Sequence, residues 1–134
     1  MGHDVIVNNN VTFYPRVIMG GFSKYLNNCN IGGYGFIQQR VTIGQYTMVG
    51  GSQIVTKNVF PYHVFINGKP SRLNKIKFSN DIIKYENQLK EISDYFYDKE
   101  RNNDIFLDKI NNLPNNIKII LHYFLTEINF SKST

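Results

Sequence analysis

A six-residue repeat is clearest in the stretch Ile31-Gly32-Gly33-Tyr34-Gly35-Phe36-Ile37-Gln38-Gln39-Arg40-Val41-Thr42-Ile43-Gly44-Gln45-Tyr46-Thr47-Met48-Val49-Gly50-Gly51. In both directions from it, a large apolar residue recurs at every sixth position: Val7, Phe13, Met19, Tyr25, Ile31, Ile37, Ile43, Val49 and Val55. A second series lies two residues earlier: Val5, Val11, Val17, Ser23, Cys29, Gly35, Val41, Thr47 and Gln53. Alternate residues of a strand share a face, so both series are expected to point inward. The repeat predicts a mainly β chain, a parallel β-helix of about three coils.

Small residues follow several of the large ones, at Gly20, Gly32, Gly44 and Gly50. Glycine lets the backbone bend tightly or adopt a positive φ, so we expect these positions to form the turns between strands. Asp in place of an inward residue such as Ile37 or Ile43 is expected to unfold the coil, because a buried unpaired carboxylate costs several kcal/mol.

The repeat predicts a β-helical domain over residues 1–60, which ends at Phe60-Pro61-Tyr62 because proline cannot donate to a sheet. Residues 61–78 are expected to form an irregular exit loop, with turns at Asn67-Gly68 and Lys69-Pro70-Ser71. Residues 79–134 are expected to form a C-terminal subdomain of three helices. The chain starts in repeat register at Met1 with no polar cap before it, which favours the C-terminal part of a longer solenoid.

Three helices are predicted from apolar periodicity and caps in residues 79–134. Ser79 or Asn80 is the expected N-cap of the first helix, and Asn102-Asn103-Asp104 is expected to end it and to cap a second helix through Ile110. The third helix is predicted from Ile117 to about Ile128. Two apolar stripes support the first and last helices: Ile82, Tyr85, Leu89, Ile92 and Phe96, then Ile117, Ile120, Leu121, Phe124, Leu125 and Ile128.

Charge and composition narrow the function classes. Residues 1–78 carry eight basic residues against Asp4 alone, a net charge of +7, whereas residues 79–134 carry −2. The basic residues are dispersed and fit no nucleic-acid-binding motif, so a phosphorylated small molecule or an acidic protein is the expected partner. No apolar run is long enough for membrane insertion, and no signal peptide is visible. The single cysteine, Cys29, excludes an internal disulfide, and its inward position predicts a buried inert thiol.

Several short motifs resemble one family of enzymes. They are His3-Asp4, Gly20-Gly21, Ile31-Gly32-Gly33, Gln38-Gln39, Val49-Gly50-Gly51 and Val59-Phe60-Pro61-Tyr62, followed by the helical tail. Together they resemble the C-terminal half of the UDP-N-acetylglucosamine O-acyltransferases, which begin lipid A biosynthesis. The resemblance covers essentially the whole chain and about half of a complete family member.

The resemblance implies a left-handed solenoid that assembles as a homotrimer, with sites between subunits. It implies transfer of an acyl group, often 3-hydroxyacyl, from acyl carrier protein to the sugar 3-hydroxyl in the cytoplasm. Neither a cofactor, nor a metal, nor a covalent acyl-enzyme is implied. A histidine that removes a proton from the sugar hydroxyl and a backbone N–H that stabilises the oxyanion would suit this chemistry.

The resemblance also implies roles for individual residues. His3 matches the catalytic base, Asp4 the acid that orients it, and Gly21 the oxyanion donor. Gln38 and Gln39 match substrate-binding positions, and Gly51 matches a position lining the acyl groove. Lys69 matches the residue that measures acyl length, and an arginine pair of the family is echoed by the exit-loop lysines Lys75 and Lys77.

The chain departs from the family at two histidine positions, which are occupied here by Phe22 and Gln38. Glutamine still forms hydrogen bonds but cannot carry charge, and phenylalanine does neither. Two alternatives therefore stay open beside an active O-acyltransferase: a non-catalytic trimeric scaffold that keeps the fold, and a related hexapeptide N-acyltransferase acting on an amino sugar.

Overall fold

The computed structural model describes residues 2–130 of the 134-residue chain, so the repeat position at Met1 lies outside the described residues. The chain divides into two compact units, Met1–Lys77 and Phe78–Thr134. The first contains eleven strands, and the second contains the α-helices.

Nine two-residue strands follow one another at six-residue intervals in the first unit. Each of the first six strands pairs in parallel with the strand three further along, so that Ile6 lies beside Lys24 and Lys24 beside Thr42. The 18-residue offset defines one triangular coil, as the repeat predicted. The strands are β1 Ile6–Val7, β2 Thr12–Phe13, β3 Ile18–Met19, β4 Lys24–Tyr25, β5 Asn30–Ile31, β6 Phe36–Ile37, β7 Thr42–Ile43, β8 Met48–Val49 and β9 Ile54–Val55.

Three parallel sheets form the faces of the solenoid, with strand orders β1-β4-β7, β2-β5-β8 and β3-β6-β9. The core confirms both inward series from the second coil onward except at Gln53, which is half-buried and whose side chain accepts from the Gly68 N–H at the surface. Tyr25, Ile31, Ile37, Ile43, Val49 and Val55 of the first series are fully buried, as is Cys29 of the second. Val7 in the first coil is exposed, because within residues 2–130 that coil has a stacked neighbour on one side only.

Polar residues in the inward series have partners that explain them. The Ser23 hydroxyl donates to the Gly20 carbonyl at 2.7 Å, and the Thr47 hydroxyl donates to the Gly44 carbonyl at 2.8 Å. Each hydroxyl thereby satisfies a turn carbonyl beside the core. The predicted burial of Cys29 is confirmed, and burial raises the pKa of its thiol to about 12, which disfavours the reactive thiolate.

The turn glycines act differently from the prediction. None of Gly20, Gly32, Gly44 and Gly50 has a positive φ. These positions require glycine because there is no room for a side chain. A Cβ added at Gly32 would lie 2.6 Å from the Gly51 nitrogen, and one at Gly20 would lie 2.4 Å from the Gln39 nitrogen. Positive φ falls instead on a non-glycine residue of each turn: Asp4, Asn10, Arg16, Phe22, Asn28, Tyr34, Arg40, Tyr46 and Ser52.

The segment 61–78 contains an antiparallel hairpin, so the prediction that it is irregular is wrong. Its strands are β10 His63–Ile66 and β11 Lys69–Leu73, and β10 continues the second sheet beside β8. The turn at Asn67-Gly68 is confirmed, with φ of 54° and 77° at its two residues. The turn predicted at Lys69-Pro70-Ser71 is wrong, because β11 is an edge strand and an edge tolerates proline.

The second unit contains α1 Glu86–Phe96, α2 Asn103–Asn111 and α3 Asn115–Glu127. The Asn102 side chain caps α2 by accepting a hydrogen bond from the Ile105 N–H at 3.0 Å, as predicted. Ser79 and Asn80 do not cap α1, because a 3₁₀ turn at Ile83–Tyr85 precedes it. The buried side chains follow the predicted stripes and include Leu89, Ile92, Phe96, Ile117, Leu121 and Phe124.

No helix among residues 2–130 combines the length and the apolar character needed to cross a membrane.

Candidate active site

The turns of the solenoid stack into three edges, which we call the first, second and third corners. Each corner presents two successive turn residues per coil, and the second of the two has the positive φ. The first corner carries His3–Asp4, Gly21–Phe22 and Gln39–Arg40; the second carries Asn9–Asn10, Asn27–Asn28 and Gln45–Tyr46; the third carries Pro15–Arg16, Gly33–Tyr34 and Gly51–Ser52.

The first corner brings together His3, Asp4 and Gly21. The Phe22 N–H donates to the His3 carbonyl at 2.7 Å, which seats the second coil directly on the first. The Arg40 N–H donates to the Gly21 carbonyl at 2.9 Å, and the third coil follows in the same way. Residues 18 apart in sequence therefore become neighbours along one edge of the solenoid.

The imidazole of His3 is oriented by the carboxylate beside it. His3 Nδ1 lies 3.3 Å from Asp4 Oδ2, and the two side chains are 89% and 67% exposed. In the tautomer that carries its proton on Nδ1, this contact would leave the lone pair of Nε2 facing away from Asp4. A general base needs such a free ring nitrogen.

Gly21 lies next to His3 on the following coil. A Cβ added at Gly21 would lie 3.5 Å from the His3 carbonyl oxygen and 3.9 Å from its Cβ, which is ordinary contact. Packing therefore does not require glycine there, unlike at Gly20. Within residues 2–130, no hydrogen bond to a backbone carbonyl uses the Gly21 N–H. Gly21 itself is half-buried, and it is the turn residue of the second coil that lies next to His3.

Gln39 lies on the first corner in the third coil, Gln38 immediately precedes it, and both residues are exposed. The Gln38 N–H donates to the Val55 carbonyl at 2.9 Å, which fixes the backbone here. These two residues therefore share an edge with His3, as the resemblance implied for a substrate-binding role.

The remaining predicted site residues lie on other edges. Gly51 is on the third corner, and Lys69 follows Gly68, whose N–H donates to Gln53 Oε1 at 2.9 Å near that corner. Lys75 and Lys77 lie in a 3₁₀ turn after β11. The adjacent Asn74 donates from Nδ2 to the Tyr46 carbonyl of the second corner at 3.1 Å. A single solenoid therefore does not bring these residues together with His3.

Two features of the surface were not predicted from the sequence. The Arg40 guanidinium lies 4.6 Å from the centroid of the Phe22 ring on the first corner. Ile18, Phe36 and Ile54 form an outward apolar column on β3-β6-β9, exposed by 57%, 43% and 64%. Once the 18-residue coil is recognised, adding 18 to a residue number would have paired the residues of both features.

No family model and no curated protein matches the chain. The structure is similar to a UDP-N-acetylglucosamine O-acyltransferase (LpxA) from Moraxella catarrhalis, with a TM-score of 0.75 and 28% identity over 97% of this chain and 52% of that one. It is also similar to LpxA from Acinetobacter baumannii, with a TM-score of 0.75 and 22% identity over 93% and 51%. LpxA from Bacteroides fragilis has a TM-score of 0.72 and 22% identity, over 90% of this chain and 50% of that one.

These matches confirm the resemblance and the left-handed form of the β-helix. The chain spans about half the length of the solved structures that it matches. The three α-helices after the solenoid belong to the matched region, which covers nearly all of this chain. The chain therefore has the left-handed β-helix and helical fold of the UDP-N-acetylglucosamine O-acyltransferases, over about half the length of one of them.

Proposed function

We propose that the chain works as an acyltransferase of this type, moving an acyl group, commonly 3-hydroxyacyl, from acyl carrier protein to the 3-hydroxyl of UDP-N-acetylglucosamine in lipid A biosynthesis. One observation carries the proposal. His3, paired with Asp4 at 3.3 Å, lies on a single edge of the solenoid next to Gly21, whose N–H donates to no backbone carbonyl within residues 2–130. The corner thereby combines a candidate base with a candidate oxyanion donor.

The proposed reaction is a direct transfer. His3 Nε2 removes the proton of the sugar hydroxyl as its oxygen attacks the thioester carbonyl. The Gly21 N–H donates a hydrogen bond to the oxyanion. The attack forms the new C–O bond. Collapse of the intermediate re-forms the carbonyl, breaks the C–S bond and transfers the proton from His3 to the leaving thiolate. Asp4 acts as a positioning residue, because it holds the imidazole tautomer and stabilises the cation that forms.

The proposed active unit is a homotrimer, because the predicted site residues occupy different edges of one chain. The first corner supplies His3, whereas Gly51 and Lys69 lie at or near the third. Packing of copies around an axis would set one chain's first corner near another chain's third corner. The apolar column on β3-β6-β9 lies between those two corners and is the proposed contact with a neighbouring copy and with the acyl chain.

Acyl carrier protein and the UDP-sugar are both anionic, which suits the net charge of +7 over residues 1–78. Lys75 and Lys77, which form most of an exposed 3₁₀ turn, are proposed to meet one of these anions. Such a reaction would take place in the cytoplasm, where its acyl donor is made.

A trimeric scaffold without activity is the second candidate, and Phe22 is the observation that favours it. This phenylalanine is 44% exposed on the first corner, where the family has a histidine. It removes one polar group from the surface that would surround the sugar. A low rate of transfer is therefore expected even if the proposal is right.

The test measures transfer from 3-hydroxyacyl carrier protein to UDP-N-acetylglucosamine. It uses the chain as given and the chain fused after the preceding coils of a complete relative. His3→Ala should lower turnover by about 100-fold or more, because general-base assistance is worth about 10²–10⁴-fold. His3→Gln should be nearly as poor. His122→Ala is the matched control, because His122 lies on α3 and contacts Asn111 at 3.0 Å.

Each outcome separates the candidates. Turnover that survives His3→Ala removes the base assignment. If neither the chain as given nor the fusion shows turnover, and neither binds the UDP-sugar, the scaffold is favoured. Faster turnover with an amino-sugar acceptor than with the hydroxyl acceptor favours the related N-acyltransferase.

A further inference from the structure

The first corner carries an arginine that the reaction as described does not use. Arg40 stands 18 residues after Phe22, and its guanidinium lies 4.6 Å from the centroid of the Phe22 ring. Both residues have a positive φ, 61° at Phe22 and 65° at Arg40, so their side chains leave the coil at equivalent points of successive turns. The aromatic ring thereby supports a cation on the edge that also carries His3.

Arg40 has no carboxylate partner among residues 2–130. Its backbone N–H is used by the Gly21 carbonyl, and its guanidinium contacts the Phe22 ring. The one acidic residue of the first unit, Asp4, lies two coils away along the corner, about 10 Å at about 4.8 Å per coil. A guanidinium stacked on a ring keeps the N–H groups at its edge available for an anion.

The next turn along this corner adds a second cation. Gln38 and Val55 are joined by a backbone hydrogen bond, and Asn58 Oδ1 accepts from the Thr42 N–H at 2.8 Å. Lys57, between Val55 and Asn58, is therefore at the first corner of the following coil, and it is exposed. Two cations, one of them held on an aromatic ring, form a surface that fits a phosphate group.

We propose that Arg40, supported by Phe22, binds the diphosphate of a nucleotide sugar whose hydroxyl is presented to His3. This inference rests on the proposed function and names the part of the substrate that this corner recognises. Arginine binds phosphate oxygens through paired N–H groups, a geometry that lysine does not reproduce. Phe22 then has a positive role, since it supports the cation at a position where a histidine is missing.

The distance between Arg40 and His3 along the corner fits a nucleotide sugar better than it fits the phosphopantetheine arm of acyl carrier protein. Arg40 and His3 are two coils apart, about 10 Å, and a long arginine side chain can shorten this gap. In a nucleotide sugar, only the sugar ring separates the diphosphate from the 3-hydroxyl. In the carrier protein, a long flexible arm separates the thioester from its phosphate.

The test measures binding of UDP-N-acetylglucosamine, pyrophosphate and acyl carrier protein to the whole chain by titration calorimetry. Arg40→Gln should weaken binding of UDP-N-acetylglucosamine and of pyrophosphate at least 10-fold, with Arg40→Lys recovering only part of the loss. Phe22→Leu should weaken it several-fold. Arg72→Gln is the matched control, because Arg72 is an exposed arginine on β11, the edge strand of the second sheet, and belongs to neither the first nor the third corner.

The inference is overturned if the unaltered chain binds none of the phosphates, if Arg40→Gln binds the UDP-sugar normally, or if Arg72→Gln weakens that binding as much. It is also overturned if Arg40→Gln weakens only binding of the carrier protein. His3→Ala should retain binding of the UDP-sugar. If the UDP-sugar binds in an Arg40-dependent way but no acyl transfer occurs, the proposed function is rejected and this inference stands. If acyl transfer occurs at the same rate in Arg40→Gln, the proposed function stands and this inference is rejected.

Discussion

Replacing Gly32 with alanine should destabilise the solenoid strongly, although the change adds a single methyl group. The new Cβ would lie 2.6, 2.7 and 2.8 Å from the Gly51 nitrogen, the Gly50 carbonyl carbon and the Val49 carbonyl oxygen. Ordinary contact begins at 3.4 Å, so the two coils must separate by several tenths of an ångström. All three atoms belong to the backbone of the next coil and cannot rotate away.

Overpacking typically costs about 1–3 kcal/mol, and a clash with fixed backbone belongs at the upper end, so we expect about 3 kcal/mol or more. A unit of 77 residues has about 4–12 kcal/mol of stability at typical values per residue. Gly51→Ala is the control, since its Cβ would meet nothing closer than the Gly33 carbonyl at 3.7 Å. We expect the control to change stability by about 0.5 kcal/mol or less.

Urea unfolding followed by circular dichroism measures both variants under the same conditions. The expected result is a clearly lower midpoint for Gly32→Ala and an almost unchanged one for Gly51→Ala. Equal midpoints would mean that the coils are not in close backbone contact at Gly32, and the interpretation of the turn glycines would then be wrong.

Three further predictions follow from the core and the surface. Ile37→Asp should abolish cooperative folding, because Ile37 is fully buried and an unpaired carboxylate there costs several kcal/mol; a normal melting temperature would contradict the coil register. Burial raises the pKa of Cys29 and of Tyr25 to about 12 from 9.0 and 10.0, so the unfolded chain ionises first. The free energy of unfolding should be unaffected by these groups below pH 9 and fall above it, by up to about 1.4 kcal/mol per pH unit for each group, and Cys29→Ala should remove the slope between pH 9 and 10. Ile54→Asp should shift the proposed trimer toward monomer in sedimentation, whereas Thr12→Asp on another exposed face should not.

The six-residue spacing was sufficient to predict the coils because burial acts on every inward position alike. Ile37 and Ile43 are both fully buried, because stacking of one coil on the next covers every inward side chain. The hairpin at His63–Leu73 could not be predicted from that spacing, because its strands leave the six-residue period. Only the Asn67-Gly68 pair signalled it, through the preference of such pairs for positive φ.

The candidate site was predictable where it depends on local neighbours and not where it depends on stacking. His3 and Asp4 are adjacent in sequence, so their contact could be anticipated. The contact of Arg40 with Phe22 joins residues 18 apart and has no local signal. The division of the predicted residues among the three corners likewise could not be predicted without the coil register. A residue's corner depends on its position within the 18-residue coil.

The positive φ at the corners has a consequence for how such a chain can evolve. Nine successive turns place an acid, amides, arginines, aromatic residues or a hydroxyl in the same left-handed conformation. A non-glycine residue there costs about 1–2 kcal/mol, with Asn and Asp tolerated best, and none of the nine is β-branched. Mutation can therefore exchange one corner residue for another without disturbing the interior, while the inward positions stay under selection for folding alone. Duplication of 18 residues would add a coil with its corners already in line, so a lineage can lengthen its ligand-binding edge by whole coils and then alter the recognition chemistry one corner at a time.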